Sequence, residues 1–138
     1  MATSAGIVVN FNHLPDMIRN NPRLADAAID AMANDGERIV KQSMQDSPAD
    51  GRTYEVGTGQ VHVASSPGNP PRVDTGALIN SIYVRNAGLA RRMIGVGTEY
   101  GFILEFGSEK MAARPFMAPM VAQLQQHAAR YFDDMMSY

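Results

Sequence analysis

Residues 47–73 are the stretch that most constrains the fold of this chain. They read SPADGRTYEVGTGQVHVASSPGNPPRV and hold four of the eight prolines and four of the twelve glycines in the 138 residues. Proline has no backbone N–H to donate, so SSPGNPP fits neither the interior of a helix nor a central strand. This segment therefore interrupts the helical pattern that precedes it, and we expect a flexible arm or hairpin at about 47–73 that projects from the body.

Within this arm, TYEV and QVHVA alternate polar and apolar residues around Gly57-Thr58-Gly59, which predicts a short hairpin. A long stretch without regular structure in a compact domain is usually functional or disordered. We expect the arm to become ordered against a partner, and a merely mobile loop is the alternative. The expected subunit or partner contacts in the arm are Tyr54, His62, Pro67, Pro70 and Arg72.

Two long stretches have helical periodicity. The first runs from Pro22 to Gln45, with Asn21 as its expected N-cap and Ser47-Pro48 as its end. The second is the final segment, where apolar residues recur at steps of four, three, four, three and four. This narrow stripe can pack on a sheet or on another subunit. Its members are Met117, Val121, Leu124, Ala128, Tyr131 and Met135.

Shorter elements complete the pattern. GIVVNF at 6–11 predicts a strand, residues 15–19 a short helix, and SIYVRN and RMIGVGT two strands joined by AGLAR. EYGFILEFG predicts a short amphipathic helix that stops at Gly107. Gly36, inside the first long helix, marks a kink or a close approach of another backbone. We predict one α+β domain over 1–138, in which a small antiparallel sheet packs against a long helix from the N-terminal half and a C-terminal helix.

Composition excludes several kinds of site. Without cysteine the chain has no disulfide, no thiolate metal site and no cysteine nucleophile. The formal net charge of −2 provides no basic field for nucleic acid, and we expect Arg85, Arg91 and Arg92 to be solvated surface. The histidines lie in three unrelated contexts, so we expect neither a metal nor a cofactor. No apolar run approaches the roughly 18 residues of a membrane span.

Asp74-Thr75-Gly76 is the tripeptide that carries the catalytic carboxylate of aspartic proteases. Such an enzyme needs two carboxylates that share a proton, which a chain with one motif could supply only as a symmetric dimer. Against this, Pro70-Pro71-Arg72 precedes the motif where an apolar strand is needed, and two long helical patterns do not fit a small all-β protease. In the simpler interpretation Asp74 is a helix N-cap that accepts hydrogen bonds from the backbone of Gly76 or Ala77.

The stretch ARPFM, from Ala113 to Met117, opens the final helix. Pro115 suits a helix start and Phe116 suits a core anchor, which is a sufficient structural explanation. The functional expectation is that Arg114, at an exposed lip before the helix, reaches a neighbouring subunit. Glu105 is then its expected ion-pair partner, within one chain or between chains.

Four motifs in this order resemble a family of long-tailed bacteriophage proteins, the tail-completion or head–tail joining proteins, also described as minor tail components. The family pattern is Ser-Pro-Gly-x-x-Pro, then D-T-G-x-L-x-x-S-I, then a tyrosine leading into Leu-Glu-Phe-Gly, and then Arg-Pro-Phe. The corresponding segments here are Ser66–Pro70, Asp74–Ile82, Tyr100–Gly107 and Arg114–Phe116. The resemblance spans about residues 23 to 135, and Ser108 stands where the family often has threonine.

This resemblance implies a non-enzymatic α+β protein of the virion, made and assembled in the host cytoplasm. It implies action at the neck or head-proximal tail end, in tail completion and head–tail joining. Such proteins resemble other tail-end proteins that work as rings, commonly sixfold, so the resemblance implies a homo-oligomeric ring on assembly. The other implied partners are tail-terminator, tail-tube or head-connector proteins, with no sequence-specific nucleic acid and no membrane. From the residues alone, two other functions stay open: a dimeric aspartic protease that uses Asp74, and a small adaptor that binds another protein through the arm.

Overall fold

The computed structural model describes residues 14–56, 59–74 and 76–136. This part of the chain is an α+β fold, as predicted, and the long helix of the N-terminal half is present. The strand predicted at 6–11 lies outside the described residues. In chain order the elements are α1 (Leu14–Asn20), α2 (Pro22–Gln45), β1 (Thr53–Val56), β2 (Gln60–Val63), α3 (Ala77–Asn80), β3 (Ile82–Gly88), β4 (Arg91–Val96), α4 (Glu99–Phe106) and α5 (Met117–Met136).

Helix α2 begins and ends where the sequence predicts. The side chain of Asn21 accepts a hydrogen bond from the backbone N–H of Leu24 at 3.3 Å, which makes Asn21 the N-cap. Pro22 occupies the first turn, where no N–H is needed. The helix ends at Gln45, and Asp46 is its C-cap. Among the described helices, none combines the length and the apolar character that crossing a bilayer requires.

The core lies mainly between α2 and α5. The apolar stripe predicted on the final helix is buried at Met117, Leu124 and Ala128, so it packs within the chain. The hydroxyl of Tyr131 on α5 donates to Asp35 on α2 at 2.6 Å. Burial, followed by this hydrogen bond, raises the pKa of Tyr131 to about 12. Buried residues of α2 that complete the core are Met32, Val40 and Met44.

Gly36 is a point of close contact, but not with another backbone. A Cβ atom at this position would lie 2.6 Å from Cδ1 of Ile94 and 3.0 Å from Cδ1 of Leu124. The close approach is therefore made by side chains from β4 and α5, which corrects the expectation of a neighbouring backbone. A side chain at Gly36 would push these two elements away from α2.

The strands form two separate antiparallel pairs. In the first, Tyr54 of β1 lies opposite His62 of β2, as the alternation of TYEV and QVHV predicts. In the second, β3 pairs with β4 from Ile82 opposite Val96 towards the turn, with an irregularity between Asn86 and Gly88. The β3–β4 pair packs against α2. A turn at residues 89–90 connects the two strands.

The turn of the β3–β4 pair is held on α2 by Arg92. Its side chain is 8% exposed, and its guanidinium contacts Asp26 at 3.0 Å and Asp30 at 2.9 Å. Asp26 also accepts the backbone N–H of Ala90 at 2.8 Å. Hydrogen bonds from Arg92 and then Ala90 hold the pKa of Asp26 below its usual value. The prediction that Arg92 belongs to a solvated cluster is therefore wrong, while Arg85 is exposed.

The segment after the first hairpin is packed against the body. The backbone N–H of Gly68 donates to the carbonyl of Ala113 at 3.0 Å, and the hydroxyl of Ser47 donates to the carbonyl of Pro70. Ser65 and Pro71 are buried. The expectation of an arm that projects over the whole of 47–73 is therefore corrected for residues 64–71, because their backbone bonds and burial tie them to the body.

Candidate functional site

The four sequence motifs meet at the end of the molecule where α2 finishes. A cleft of about 440 Å³ lies there. Its walls come from the first hairpin, from the Asp74 segment, from α4 and from the residues just before α5. The expected contact residues Tyr54, His62, Arg72 and Arg114 all line it, and so do the expected structural residues Asp74 and Gly76. Pro67 and Pro70 lie outside the lining.

Glu105 joins the Leu-Glu-Phe-Gly motif to the Arg-Pro-Phe motif. One carboxylate oxygen accepts the backbone N–H groups of Phe116 and Met117, at 2.8 and 2.9 Å, and the other accepts that of Ala118 at 2.9 Å. A carboxylate at a helix N-terminus satisfies free N–H groups and interacts favourably with the helix dipole. Glu105 is thus the cap of α5, which corrects the expected ion pair with Arg114.

Gly107 is required by the turn that separates these two motifs. Its φ of 78° and ψ of 178° fall in a region that is almost restricted to glycine. A Cβ atom there would also lie 2.9 Å from the backbone nitrogen of Ala113. The turn folds back so that the N–H of Arg114 donates to the carbonyl of Leu104 at 2.6 Å. This geometry brings Glu105 within reach of the start of α5.

Pro115 and Phe116 have the structural roles that the sequence suggests. Phe116 is almost fully buried in the core. Pro115 comes two residues before α5 begins, and its missing N–H leaves no donor unsatisfied at the helix entrance. Arg114, directly before it, is buried, which corrects the expectation of an exposed lip.

The Ser-Pro-Gly-x-x-Pro segment is also fixed from within the chain. The carboxylate of Asp50 accepts the backbone N–H of Ser66 at 2.8 Å and its hydroxyl at 3.1 Å. Arg72 donates to the carbonyl of Val63, which ties the segment to β2. Pro67 is exposed, whereas the carbonyl of Pro70 is occupied by Ser47. Of the two prolines expected to meet a partner, Pro67 is therefore the more exposed.

Asp74 does not occupy the N-cap position of α3. That position belongs to Gly76, whose φ of 86° is left-handed. The side chain of Asp74 is partly exposed, and its oxygen lies 3.7 Å from Nδ1 of His62 at the mouth of the cleft. Residues 71–73, which precede it, form no strand. The expected helix cap is therefore corrected, since the helix begins three residues after Asp74.

Two buried polar groups in the cleft are incompletely satisfied. Arg114 is 9% exposed, and within the described part of the chain its guanidinium makes one hydrogen bond, from Nε to the carbonyl of Ser65 at 3.3 Å. Ser65 is 1% exposed, and its hydroxyl has no partner among the described residues. Buried polar groups in folded proteins are nearly always hydrogen-bonded, so both require an explanation.

Helix α4 exposes most of its large apolar side chains. Tyr100, Phe102, Ile103 and Phe106 are between 42% and 60% exposed, and the rings of Phe102 and Phe106 are 4.8 Å apart. Only Gly101 is fully buried, where a Cβ would lie 2.5 Å from Cγ1 of Val96. The amphipathic prediction for this segment missed the exposure. Five of the eight residues of this helix are large and apolar, and they cannot all lie on one helix face. This crowding in the sequence indicates that some of them must be exposed.

Leu89 is an exposed apolar residue that lies away from α4, beside the N-terminal part of α2. It is 59% exposed in the turn between β3 and β4, beside the contact of Ala90 with Asp26. The cleft and α4 lie near Met44, at the other end of α2. At a rise of about 1.5 Å per residue, Asp26 and Met44 are about 27 Å apart along the helix axis. The two apolar surfaces therefore lie on well-separated parts of the molecule.

Comparison with known proteins adds no further assignment. No protein-family model, curated protein or solved structure matches the chain. Its function is therefore inferred from its residues, from the resemblance of its motifs and from the geometry of the cleft and of α4.

Proposed function

We propose that this protein is a structural component of a tailed bacteriophage virion. It acts at the neck or head-proximal tail end, in tail completion and head–tail joining. The resemblance of the four motifs suggests this role, and contacts within the chain bring these motifs together at one end of the molecule. The observation that carries the proposal is the exposed apolar surface of α4, which belongs to the third motif.

The exposed side of α4 has the character of a protein contact. Its four large apolar residues, Tyr100, Phe102, Ile103 and Phe106, are exposed in the isolated chain, and the rings of Phe102 and Phe106 are in contact. Contiguous apolar patches on soluble proteins usually mark interaction sites. Aromatic residues are enriched at the centres of such interfaces, where two of them can contribute most of the binding free energy.

The positions of α4 and Leu89 favour assembly by head-to-tail contacts. A ring forms when one surface of each copy binds a different surface of the next copy. The α2 residues beside the two surfaces, Asp26 and Met44, lie about 27 Å apart along the helix axis, so each copy can contact two neighbours at once. In this proposal the α4 surface of one copy binds the Leu89 turn of the next, and the closed ring sits on a tail-terminator, tail-tube or head-connector protein.

The role of the protein in joining can be tested by electron microscopy of particles from the source phage with the gene deleted. We expect full heads beside separate tails of normal length, because the joining step fails. Complementation with Phe102→Ser/Phe106→Ser should leave the same defect, whereas Arg85→Ser, an exposed control outside both apolar surfaces, should restore whole virions. Intact, infectious virions without the protein would contradict the proposal, and tails of abnormal length would move the role to tail termination.

A further inference from the structure

We propose that the cleft binds a single carboxylate side chain, presented by an extended segment of a different protein. The inference rests on the proposed function, since it identifies the chemical group by which a partner protein in the virion would be recognised. It is carried by two buried residues that line the cleft, Arg114, whose guanidinium has one hydrogen bond among the described residues, and Ser65, whose buried hydroxyl has none.

Arg114 is a buried cation that lacks a carboxylate. Its one hydrogen bond uses Nε and a backbone carbonyl, and within the described residues the rest of its guanidinium has no bonded partner. Removing a charge from water is costly unless the charge is paired and hydrogen-bonded. A guanidinium binds a carboxylate through two parallel N–H donors, which is the geometry that these remaining groups offer.

Ser65 supplies a second donor in the same place. Its backbone carbonyl already accepts from Arg114, so the two residues are in contact, while its hydroxyl is left without a partner among the described residues. A buried hydroxyl of this kind costs free energy until a ligand or water satisfies it. The accessible surface of this hydroxyl is below 1 Å², so a carboxylate bound by Arg114 would accept from it only after a small shift of the Ser65 side chain.

The charges and the lining favour a carboxylate over phosphate. Arg72 and Arg114 contribute two positive charges and Asp74 one negative charge, which leaves a net charge of +1 to be matched by a monoanion. Much of the remaining lining is apolar or aromatic, and includes Tyr54 and Leu104. Such a surface suits the hydrocarbon part of a glutamate and its apolar neighbours, whereas the strongly hydrated phosphate dianion would lose its water without enough donors.

The position of α4 argues for a different protein as the source of this carboxylate. Tyr100 lines the cleft and is also part of the exposed arc of α4, so the cleft and that arc adjoin. Exposed Glu99 of a second copy could enter the cleft only if the same regions of two copies faced each other. Such a pair has twofold symmetry and closes on itself, which conflicts with the head-to-tail contacts of a ring. In a head-to-tail contact the carboxylates beside the Leu89 turn are those of Asp26 and Asp30, and Arg92 of their own chain already binds both.

The test measures binding of a capped peptide, acetyl-Ala-Leu-Glu-Leu-Ala-amide, to the purified full chain by NMR chemical-shift titration. We expect saturable shifts at Tyr54, His62 and Tyr100. The peptide with glutamine in place of glutamate should bind at least about tenfold more weakly, since it loses the charge-assisted bonds. Inorganic phosphate at matched ionic strength should produce no saturable shifts at these residues.

Variants separate a binding role of Arg114 from a structural one. Arg114→Met should reduce affinity for the glutamate peptide by at least about tenfold. Its unfolding midpoint in urea should change little, because the loss of the one hydrogen bond to the carbonyl of Ser65 is offset by the removal of a charge that has no carboxylate partner among the described residues. Ser65→Ala, which removes only the unpartnered hydroxyl, should weaken binding by a smaller factor, and Arg85→Met should leave it unchanged. The inference would be contradicted if Arg114→Met clearly lowered the urea midpoint while Ser65→Ala kept the wild-type affinity for the peptide. Both side chains would then stabilise the fold without binding a ligand.

Three further outcomes would overturn the inference. These are the absence of saturable binding by the glutamate peptide, equal binding of both peptides, and tighter binding of phosphate. Self-association of the wild-type chain that both Glu99→Gln and Arg114→Met abolish would overturn the assignment to a different protein. Because these titrations use the free protein, they can fail while the deletion phage still shows separated heads and tails, so the two proposals can be rejected independently.

Discussion

At the scale of single residues, Glu105 connects two motifs that are separated in the sequence. Its carboxylate accepts three backbone N–H groups at the start of α5. We expect Glu105→Ala to lower the free energy of unfolding by about 1–2 kcal/mol, which is the usual cost of losing a helix cap. Urea denaturation followed by circular dichroism measures the change.

Glu99→Ala is the matched control for that substitution, because Glu99 is an exposed glutamate in the same helix region. Its effect should stay within about 0.5 kcal/mol, as for most surface positions. Equal effects of the two substitutions would show that the three hydrogen bonds of Glu105 contribute nothing measurable to stability.

Asp26 gives the fold a predictable sensitivity to acid. Its pKa is lowered in the folded chain by Arg92 and then by the backbone of Ala90, so the unfolded chain binds its proton more readily. The stabilisation is therefore complete above the unfolded value of about 4, and it is lost as the pH falls through the lower folded pKa. Asp26→Asn should lower stability at neutral pH and reduce the loss of stability on acidification below about pH 4.

Urea denaturation at a series of pH values checks this dependence. Asp16→Asn is the control, since among the described residues Asp16 pairs with Arg19 at the exposed surface of α1. This variant should keep the wild-type slope of unfolding free energy against pH. An unchanged slope in Asp26→Asn would mean that the contact with Arg92 does not lower the pKa of Asp26 in solution.

At the scale of elements, the turn between α4 and α5 depends on Gly107. Gly68 has a left-handed φ of 91° with open space around it, so Gly68→Ala should cost about 1–2 kcal/mol for backbone strain alone. At Gly107 a Cβ would also meet backbone atoms that cannot move aside, and Gly107→Ala should cost about 1–3 kcal/mol more. Thermal unfolding of the two variants measures the difference, and equal losses would contradict a tight turn.

The long helices and hairpins are the elements that local sequence pattern can predict. Asn21 and Pro22 predict the start of α2, and the apolar spacing from Met117 onwards predicts α5. The contacts of Arg92 and Glu105 could not be obtained this way, because each has partners distant in the sequence, and a local charge pattern does not reveal which residues meet. The sequence indicates the cleft residues Tyr54, His62 and Arg114 one by one, but their common location depends on the packing of four segments.

At the scale of the whole molecule, head-to-tail assembly predicts how two defective variants combine. Leu89→Ser removes one proposed contact surface, and Phe102→Ser/Phe106→Ser removes the other. Each variant alone should fail to self-assemble, because every contact needs both surfaces. An equimolar mixture should form complexes of two chains and nothing larger, since one intact surface remains on each protein.

Analytical ultracentrifugation of the mixture, with each variant alone as a control, measures this outcome. Rings or longer assemblies from the mixture would show that Leu89 or α4 is dispensable. Self-association of either variant alone to the wild-type extent would exclude contact between these two surfaces.

Helix α2 also has a mechanical consequence in such a ring. One end of it is fastened to the Leu89 turn through Asp26, Asp30 and Arg92, and the other end abuts the cleft beside α4. A compressive force applied by one neighbouring copy would be transmitted along the axis of α2. At Gly36 the side chains of Ile94 and Leu124 pack against α2 from the side, and these contacts would resist bending of the helix under compression. A ring of such subunits would transmit strain around its circumference with little deformation of each copy.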